Sequence, residues 1–175
     1  MTLDPSNLFH VGFVVADLDA AMAEICRTTG VTWGPRLDVE LPLWTPVEVR
    51  IATTHSVYSR EFPHLELETE VPGTISTVSD RPLHHIGYWT DDLTGESAAL
   101  EEQRMPLVAG AEVGGSLYGM AFHRTSTGLY IELVDRARFP DWEGFLCGRG
   151  AVDRIVDDGP VVAGAGQQRV LDPSR

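Results

Sequence analysis

Lysine is missing from this chain of 175 residues, and all 13 of its basic residues are arginine. Aspartate and glutamate together number 26, which leaves a formal net charge of -13. A protein that binds nucleic acid presents a basic face to the phosphates, and a protein on an anionic membrane does the same for lipid headgroups. The charge balance therefore argues against both classes of partner.

Cysteine is scarce, and long apolar runs are missing. The two cysteines, Cys26 and Cys147, lie in unlike contexts, and neither belongs to a CxxC pair or a zinc ribbon. Such thiols are typical of a reducing compartment. No stretch approaches the ~20 apolar residues of a membrane span. The opening MTLDPSNLF also lacks the basic and apolar regions of a signal peptide. A cytoplasmic location is expected.

The rest of the composition is that of a folded protein. Hydrophobic residues make up 43% of the chain, which is enough to build a core. A single domain usually has about 150 residues. We predict a single domain over residues 1–147 and a C-terminal tail over residues 148–175, where glycine, aspartate and proline dominate.

An internal repeat is the strongest feature of the sequence. Phe9–Leu18 reads FHVGFVVADL, and Leu83–Leu93 reads LHHIGYWTDDL. The matched pairs, all at one offset, are His10/His85, Val11/Ile86, Gly12/Gly87, Phe13/Tyr88, Asp17/Asp92 and Leu18/Leu93. A repeat at a fixed offset indicates a fold built from two similar modules.

Each copy is predicted to be a strand that runs into a helix, capped by Asp17 or Asp19 in the first copy and by Asp91, Asp92 or Thr94 in the second. About three strands follow each helix. They are expected near 36–40, 47–53 and 64–70 in the first half, and near 107–113, 118–125 and 129–134 in the second. The pattern predicts an α+β fold with modules at about residues 8–72 and 83–138.

Four residues recur at matched places in these modules. Side chains alternate along a strand, so His84 and His85 point to opposite faces, and the repeat selects His85 as the counterpart of His10. Each module also ends on a strand with a glutamate between apolar neighbours, in HLEL and YIEL. Pseudo-symmetry would bring these four side chains together: His10, Glu66, His85 and Glu132.

Two imidazoles and two carboxylates suit one divalent ion such as Zn, Co, Ni, Mn or Fe(II). A lone strand histidine is more often structural, and a lone strand glutamate usually faces water, but the recurrence of all four favours a metal site. A register shift of two residues would exchange Glu66 with Glu68.

The sequence resembles the vicinal oxygen chelate superfamily, which includes glyoxalase I, methylmalonyl-CoA epimerase, extradiol dioxygenases and bleomycin-resistance proteins. The resemblance covers about residues 8–138 and rests on FHVGFVVADLDAA, HLELETEVPGT, LHHIGYWTDDL and GLYIELVD. It implies two βαβββ modules that form an open, curved, mixed sheet around a metal. By position, the implied ligands are His10, Glu66, His85 and Glu132.

The resemblance implies a metal-dependent isomerase, epimerase or lyase that moves a proton next to a carbonyl of a small substrate. Such an ion stabilises negative charge on the substrate oxygen, and a carboxylate takes the proton. Glu132 is one candidate for this carboxylate, and Glu48 is a second. The missing lysines weaken the case for a CoA thioester, whose phosphates need cations. An aromatic substrate is also compatible, because several aromatic residues could line a pocket.

Two alternatives stay open. An extradiol-type dioxygenase would use His10, His85 and Glu132 around Fe(II), although Glu66 then fills a position such enzymes leave open. A protein like the bleomycin-resistance members would bind a ligand with no metal and no turnover. A homodimer is expected in each case, because paired modules of this kind leave sheet edges that association can cover.

Overall fold

The computed structural model describes residues 2–149 and contains the order strand, helix and three strands twice. The first module comprises β1 (Leu8–Val15), α1 (Leu18–Thr29), β2 (Trp33–Trp44), β3 (Val49–Ser59) and β4 (His64–Thr69). The second comprises β5 (Leu83–Thr90), α2 (Leu93–Glu102), β6 (Leu107–Val113), β7 (Ser116–Arg124) and β8 (Tyr130–Asp135). A short helix, α3 (Trp142–Leu146), follows, and single 3-10 turns precede β1 and follow β8. The α+β fold is confirmed.

The Asp-Leu pair of the repeat marks the start of each long helix. The Asp17 carboxylate accepts the N–H of Ala20 at 2.9 Å, and α1 ends at Gly30, which has φ 79°. In the second module the Asp92 carboxylate accepts the N–H of Gly95 at 2.9 Å. Each cap satisfies a backbone donor that the first turn leaves unpaired.

The eight strands form one mixed sheet in the order β1-β4-β3-β2-β6-β7-β8-β5, which closes into a barrel. The β1–β4 and β5–β8 pairs are parallel, and the other pairs are antiparallel. The curvature implied by the resemblance is confirmed, but the sheet is not open. The pairing between β2 and β6, which completes the barrel, is short and includes only Leu43↔Ala111 and Trp44↔Gly110.

The hairpin of β2 and β3 is much longer than the sequence pattern predicts. The prolines of β2 argue against a long strand, yet β2 and β3 pair from Trp33↔Ser59 to Trp44↔Val49. Long-range pairing overrides local propensity here. The segment between the modules has no regular structure, as expected, although Val71 and Ser76 within it are buried.

The register of the strands places the two modules in equivalent positions. Gly12 lies opposite Glu66 in the β1–β4 pair, and Gly87 lies opposite Glu132 in the β5–β8 pair. The two first strands run antiparallel beside each other, with His85 opposite Gly12. The modules therefore meet at the strands that carry the repeat. None of the helices within residues 2–149 is long and apolar enough to cross a membrane.

Candidate metal centre

Four side chains from four different strands converge where the two modules meet. His10 lies on β1, Glu66 on β4, His85 on β5 and Glu132 on β8, and all four are buried. Each offers one ligand atom, and these atoms lie within 4.8 Å of one another. The structure thus brings together the four residues that the repeat selected.

Two glycines make room for the histidine rings. The ring of His85 lies over Gly12 on the neighbouring strand, and a Cβ atom at Gly12 would come within 1.9 Å of that ring. Reciprocally, the His10 ring lies over Gly87, where a Cβ atom would come within 1.8 Å. Real Cβ atoms cannot approach so closely. The glycine in each copy of the repeat therefore leaves the space that the histidine ring of the other copy occupies.

The spacing of the ligand atoms fits an ion. The Nε2 atoms of His10 and His85 are 2.9 Å apart. Oε2 of Glu66 lies 3.1 and 2.9 Å from these nitrogens, and Oε2 of Glu132 lies 3.0 and 3.4 Å from them. For an ion bound at about 2.1 Å, adjacent ligand atoms are about 3.0 Å apart at right angles and about 3.4 Å apart at tetrahedral angles. The observed distances match the edges of such a coordination shell.

An unsatisfied buried oxygen supports the same conclusion. Oε2 of Glu132 is buried and accepts no hydrogen bond of good geometry, although Nε2 of His10 is only 3.0 Å away. A buried carboxylate oxygen without a hydrogen bond is costly unless a cation approaches it. The donor set and this oxygen together fit a divalent metal.

The charges around His10 attract cations of any kind. Burial opposes a charge on the ring, but the carboxylates of Glu132 and Glu66, which lie close to Nε2 as acceptors and carry negative charge, raise the pKa of His10 to about 9. Burial acts to raise the pKa of Glu66, but its contacts with His10 and His85 outweigh burial and lower that pKa. A metal and a proton therefore compete for Nε2 of His10.

Glu68 and His84 lie beside the four-residue cluster but outside it. Oε1 of Glu68 is 3.4 Å from Nδ1 of His84, and both side chains are almost fully buried. Burial and the neighbouring charges of Glu66 and Glu132 raise the pKa of Glu68 well above its ordinary value. Burial and the neighbouring His85 lower the pKa of His84 to about 4. The register thus places Glu66, and not Glu68, among the four.

Glu48 is not brought to the cluster. It lies in the turn between β2 and β3, where its side chain is 55% exposed and lies 3.6 Å from the guanidinium of Arg50. The sequence placed Glu48 on a strand because VEVRIAT alternates, but β3 begins only at Val49. The alternating pattern is real from Val49 onward, and the glutamate precedes it.

A cavity of about 120 Å³ opens beside the cluster, and Glu66, Glu68 and Glu132 form part of its wall. Most of the remaining wall is apolar and comes from β2, β6 and β7: Leu37, Val39, Leu41, Leu43, Ala109, Ala111, Met120 and Phe122. Tyr118 also lines it, whereas Trp33, Trp44 and Trp89 do not. Trp89 instead stacks on Phe9, with ring centroids 3.6 Å apart.

Sequence reasoning missed the polar face of β3. Thr54, Ser56 and Tyr58 alternate along this strand and line the cavity. Burial, and then the charges of Glu66 and Glu132, raise the pKa of Tyr58 well above its ordinary value. The segment THSVYS shows this alternation of side chains, but the strand predicted from the sequence ends before it, near residue 53.

Three further histidines lie outside the cluster. His55 is exposed beside Asp38. His64 is buried, where its Nδ1–H donates to the Ser59 carbonyl and its Nε2 accepts the indole N–H of Trp142. His123 is completely buried against α2.

The fold and site define a class: paired βαβββ modules that share a buried cluster of two histidines and two glutamates. Residues 9–122 match the model of the glyoxalase/bleomycin resistance protein/dioxygenase superfamily, and the chain belongs to this superfamily.

Two solved structures are similar to this chain. The methylmalonyl-CoA epimerase of Mycobacterium tuberculosis is 21% identical, with a TM-score of 0.52 over 77% of this chain and 91% of that one. A variant of the methylmalonyl-CoA epimerase of Streptomyces coelicolor, in complex with 2-nitronate-propionyl-CoA, is 16% identical, with a TM-score of 0.48 over 74% and 96% of the two chains. A comparison with curated protein sequences gave no match.

Proposed function

We propose that this protein is a metal-dependent isomerase, epimerase or lyase that moves a proton next to a carbonyl group of a small organic substrate. One observation carries the proposal. Two imidazole nitrogens and two carboxylate oxygens, from His10, His85, Glu66 and Glu132, lie within 4.8 Å of one another beside a largely apolar cavity. One divalent ion of Zn, Co, Ni, Mn or Fe is the expected cofactor.

The chemistry that such an ion supplies is Lewis-acid stabilisation of negative charge on a carbonyl oxygen, which makes the neighbouring C–H more acidic. The two histidines and two glutamates would hold the ion, and the apolar wall would exclude water from the reacting carbon. A carboxylate would then take the proton. Glu132 is one candidate for this role, and Glu68, which lines the same cavity without belonging to the four, is the other.

The wall of the cavity favours a compact, largely apolar carbonyl or aromatic compound. A CoA thioester carries phosphates that need cations, whereas this chain has no lysine and a net charge of -13. The similarity to the two epimerases above therefore does not identify the substrate. We propose proton transfer on a carbonyl compound without a large anionic carrier.

The first experiment measures metal content by elemental mass spectrometry on freshly purified protein. We expect near-stoichiometric metal in the natural chain and in His55→Ala, because His55 is exposed and far from the cluster. We expect loss of the metal in His85→Ala. Protein that takes up no ion, even after incubation with divalent salts, would remove the basis of the proposal.

The second experiment tests the reaction. Metal-loaded protein is incubated in D₂O with 2-oxo acids, simple acyl thioesters and aromatic ketones, and exchange of the α-proton is followed by NMR. We expect exchange with at least one class, and a loss of about 10²-fold or more in Glu68→Gln if Glu68 carries the proton. Metal retained in Glu68→Gln would separate the base from the ligands.

The rival functions predict other outcomes of the same experiments. Bound iron, with oxygen consumption in the presence of catechols, would favour the extradiol dioxygenase, against which Glu66 counts as a fourth ligand. Tight binding of an aromatic ligand with neither metal nor turnover would favour the bleomycin-resistance-like protein. The homodimer and the cytoplasmic location stay predictions. The homodimer was expected because exposed sheet edges could be covered by association, but in the closed barrel these edges pair with each other within one chain.

A further inference from the structure

His84 precedes the cluster residue His85 on β5 and makes two contacts of hydrogen-bond length. Its Nε2 lies 3.1 Å from the backbone carbonyl oxygen of Ile75, and its Nδ1 lies 2.8 Å from Nδ1 of His85. A carbonyl oxygen can only accept a hydrogen bond, so Nε2 of His84 carries the hydrogen. In a neutral ring, Nδ1 of His84 is then an acceptor.

The position of the hydrogen on the His85 ring follows from similar contacts. Nε2 of His85 lies 2.9 Å from Oε2 of Glu66 and faces the centre of the four ligands. Only a nitrogen without a hydrogen can bind a metal, so a neutral His85 that serves as ligand carries its hydrogen on Nδ1. That Nδ1–H points at the acceptor Nδ1 of His84. Every donor in the row therefore meets an acceptor.

We propose that His84 is a positioning residue that selects the metal-binding tautomer of His85. A row of hydrogen bonds runs from the Ile75 carbonyl through His84 to His85, and it holds both the orientation of the His85 ring and the place of its hydrogen. The inference rests on the proposed function in one respect only, namely that the four-residue cluster binds a metal.

Glu68 is the other group near Nδ1 of His84. Its Oε1 is 3.4 Å away, which is beyond the usual range for a hydrogen bond, and it has no hydrogen-bond partner within residues 2–149. The shorter contact, between the two Nδ1 atoms, occupies the single lone pair of His84. Glu68 therefore does not compete for it.

The first module provides an internal comparison. Phe9 stands where the second module has His84, and its ring packs edge-on against His10, with centroids 4.3 Å apart. Nδ1 of His10 is buried without a hydrogen-bond partner within the described part of the chain. The two histidine rings are thus unequal on the side away from the cluster, because Nδ1 of His85 has a hydrogen-bond partner whereas the ring of His10 packs there against Phe9.

The row also gives the segment between the modules a role in the site. Ile75 belongs to this segment, which is anchored where the N–H of Val71 donates to the Ser76 carbonyl at 2.9 Å. This segment, the linker, joins the two modules and has no regular structure. Through its Ile75 carbonyl, the linker contacts His84, which in turn contacts the cluster residue His85.

The test compares two variants of His84 in metal-free protein. His84→Asn places a side-chain oxygen near the position of Nδ1, so it can still accept from His85, whereas His84→Phe keeps the ring volume and removes both nitrogens. Ring ¹⁵N shifts of the Zn²⁺-loaded natural chain are expected to show the hydrogen on Nδ1 of His85 and on Nε2 of His84. Titration with Co²⁺ is expected to show a 10- to 100-fold weaker Kd in His84→Phe and a Kd near that of the natural chain in His84→Asn.

Two results would overturn the inference: a hydrogen on Nδ1 of His84 in the Zn²⁺-loaded natural chain, or unchanged Co²⁺ affinity in a folded His84→Phe. If His84→Phe does not fold, the ¹⁵N shifts of the natural chain and the Co²⁺ affinity of His84→Asn decide. The ¹⁵N shifts and the Co²⁺ titration need no substrate. A protein without proton-exchange activity therefore contradicts the proposed function and leaves this test intact.

Discussion

At the scale of single residues, Gly12 and Gly87 determine whether the cluster can form at all. Each lies beneath the imidazole of the other module, at a distance that leaves no room for a Cβ atom. Two strands that pair side by side can carry two histidine rings across their seam only if the residue beneath each ring has no side chain. The His-x-Gly spacing of the repeat is explained by this packing.

Gly87→Ala is expected to displace the His10 ring, because the added Cβ atom would come within 1.8 Å of it. We expect loss of metal and a fall of roughly 1–3 kcal/mol in the free energy of unfolding, the range for overpacking in a core. Elemental analysis and urea unfolding measure the two effects.

Gly115→Ala is the matched control for Gly87→Ala. Gly115 has φ 83° and open space where a Cβ atom would lie. Its replacement is expected to lower stability through backbone strain by about 1 kcal/mol and to leave the metal in place. Retention of metal in Gly87→Ala would contradict the packing argument.

His123 links stability to pH away from the metal. Its Nδ1–H donates to the Met105 carbonyl at 2.9 Å, so its Nε2 accepts from the Ser97 hydroxyl at 2.9 Å. Burial lowers the pKa of His123 below its ordinary 6.5, so the unfolded chain binds the proton more readily. The stability due to neutral His123 is present above pH 6.5 and is lost as the pH falls through the lower pKa of the folded state.

His123→Gln is therefore expected to be less stable than the natural chain at pH 7.5 and to lose less stability on acidification to pH 5. Urea unfolding at the two pH values measures the difference. His55→Gln, a change at an exposed histidine, should follow the natural chain. Parallel pH profiles for His123→Gln and the natural chain would mean that His123 does not titrate between folded and unfolded states.

At the scale of elements, the Asp-Leu pair of each module does two jobs at a helix start. Asp17 and Asp92 accept the hydrogen bonds that cap α1 and α2. Leu18 and Leu93, the first residues of these helices, are buried at 5% and 7% exposure. The pair thus fixes where each helix begins and turns its first side chain into the core.

Asp17→Ala and Asp92→Ala are each expected to lower the free energy of unfolding by about 1 kcal/mol, because each leaves a first-turn N–H without its acceptor. The effects should add in the double variant, since the two caps share no partner. Metal content should not change, because both caps lie outside the cluster. Urea unfolding at pH 7 checks this, and Asp17→Asn should retain most of the stability.

At the scale of the whole molecule, the cluster draws one side chain from each of β1, β4, β5 and β8, and so from both modules. An ion held by all four would connect the modules at their seam. The unfolded chain has no such arrangement of ligands, so binding would favour the folded state as a whole.

Added Co²⁺ or Zn²⁺ is therefore expected to raise Tm, with a stabilisation of about 2.7 kcal/mol when the free ion is 100-fold above its Kd. Thermal unfolding at several ion concentrations measures the effect. Glu132→Gln should abolish it, while His55→Gln should retain it. A shift of equal size in Glu132→Gln would place the ion elsewhere on the protein.

Much of this molecule could be predicted from periodicity and repetition. The repeat identified two modules, the alternation of side chains along β5 selected His85 over His84 as the counterpart of His10, and the matching glutamates completed the set. These predictions of position were possible because strand periodicity and an internal repeat can be recognised in the sequence itself.

Other features depend on contacts between distant segments, which no local pattern encodes. Cross-strand pairing decided the length of β2 and β3 and left Glu48 in a turn. The seam between β2 and β6 decided that the sheet closes. The row through His84 needs a carbonyl from the connecting segment, which only the folded chain brings to it. The sequence alone determined which residues could form the centre, and the tertiary structure decided what surrounds them, because that depends on the register and closure of the barrel.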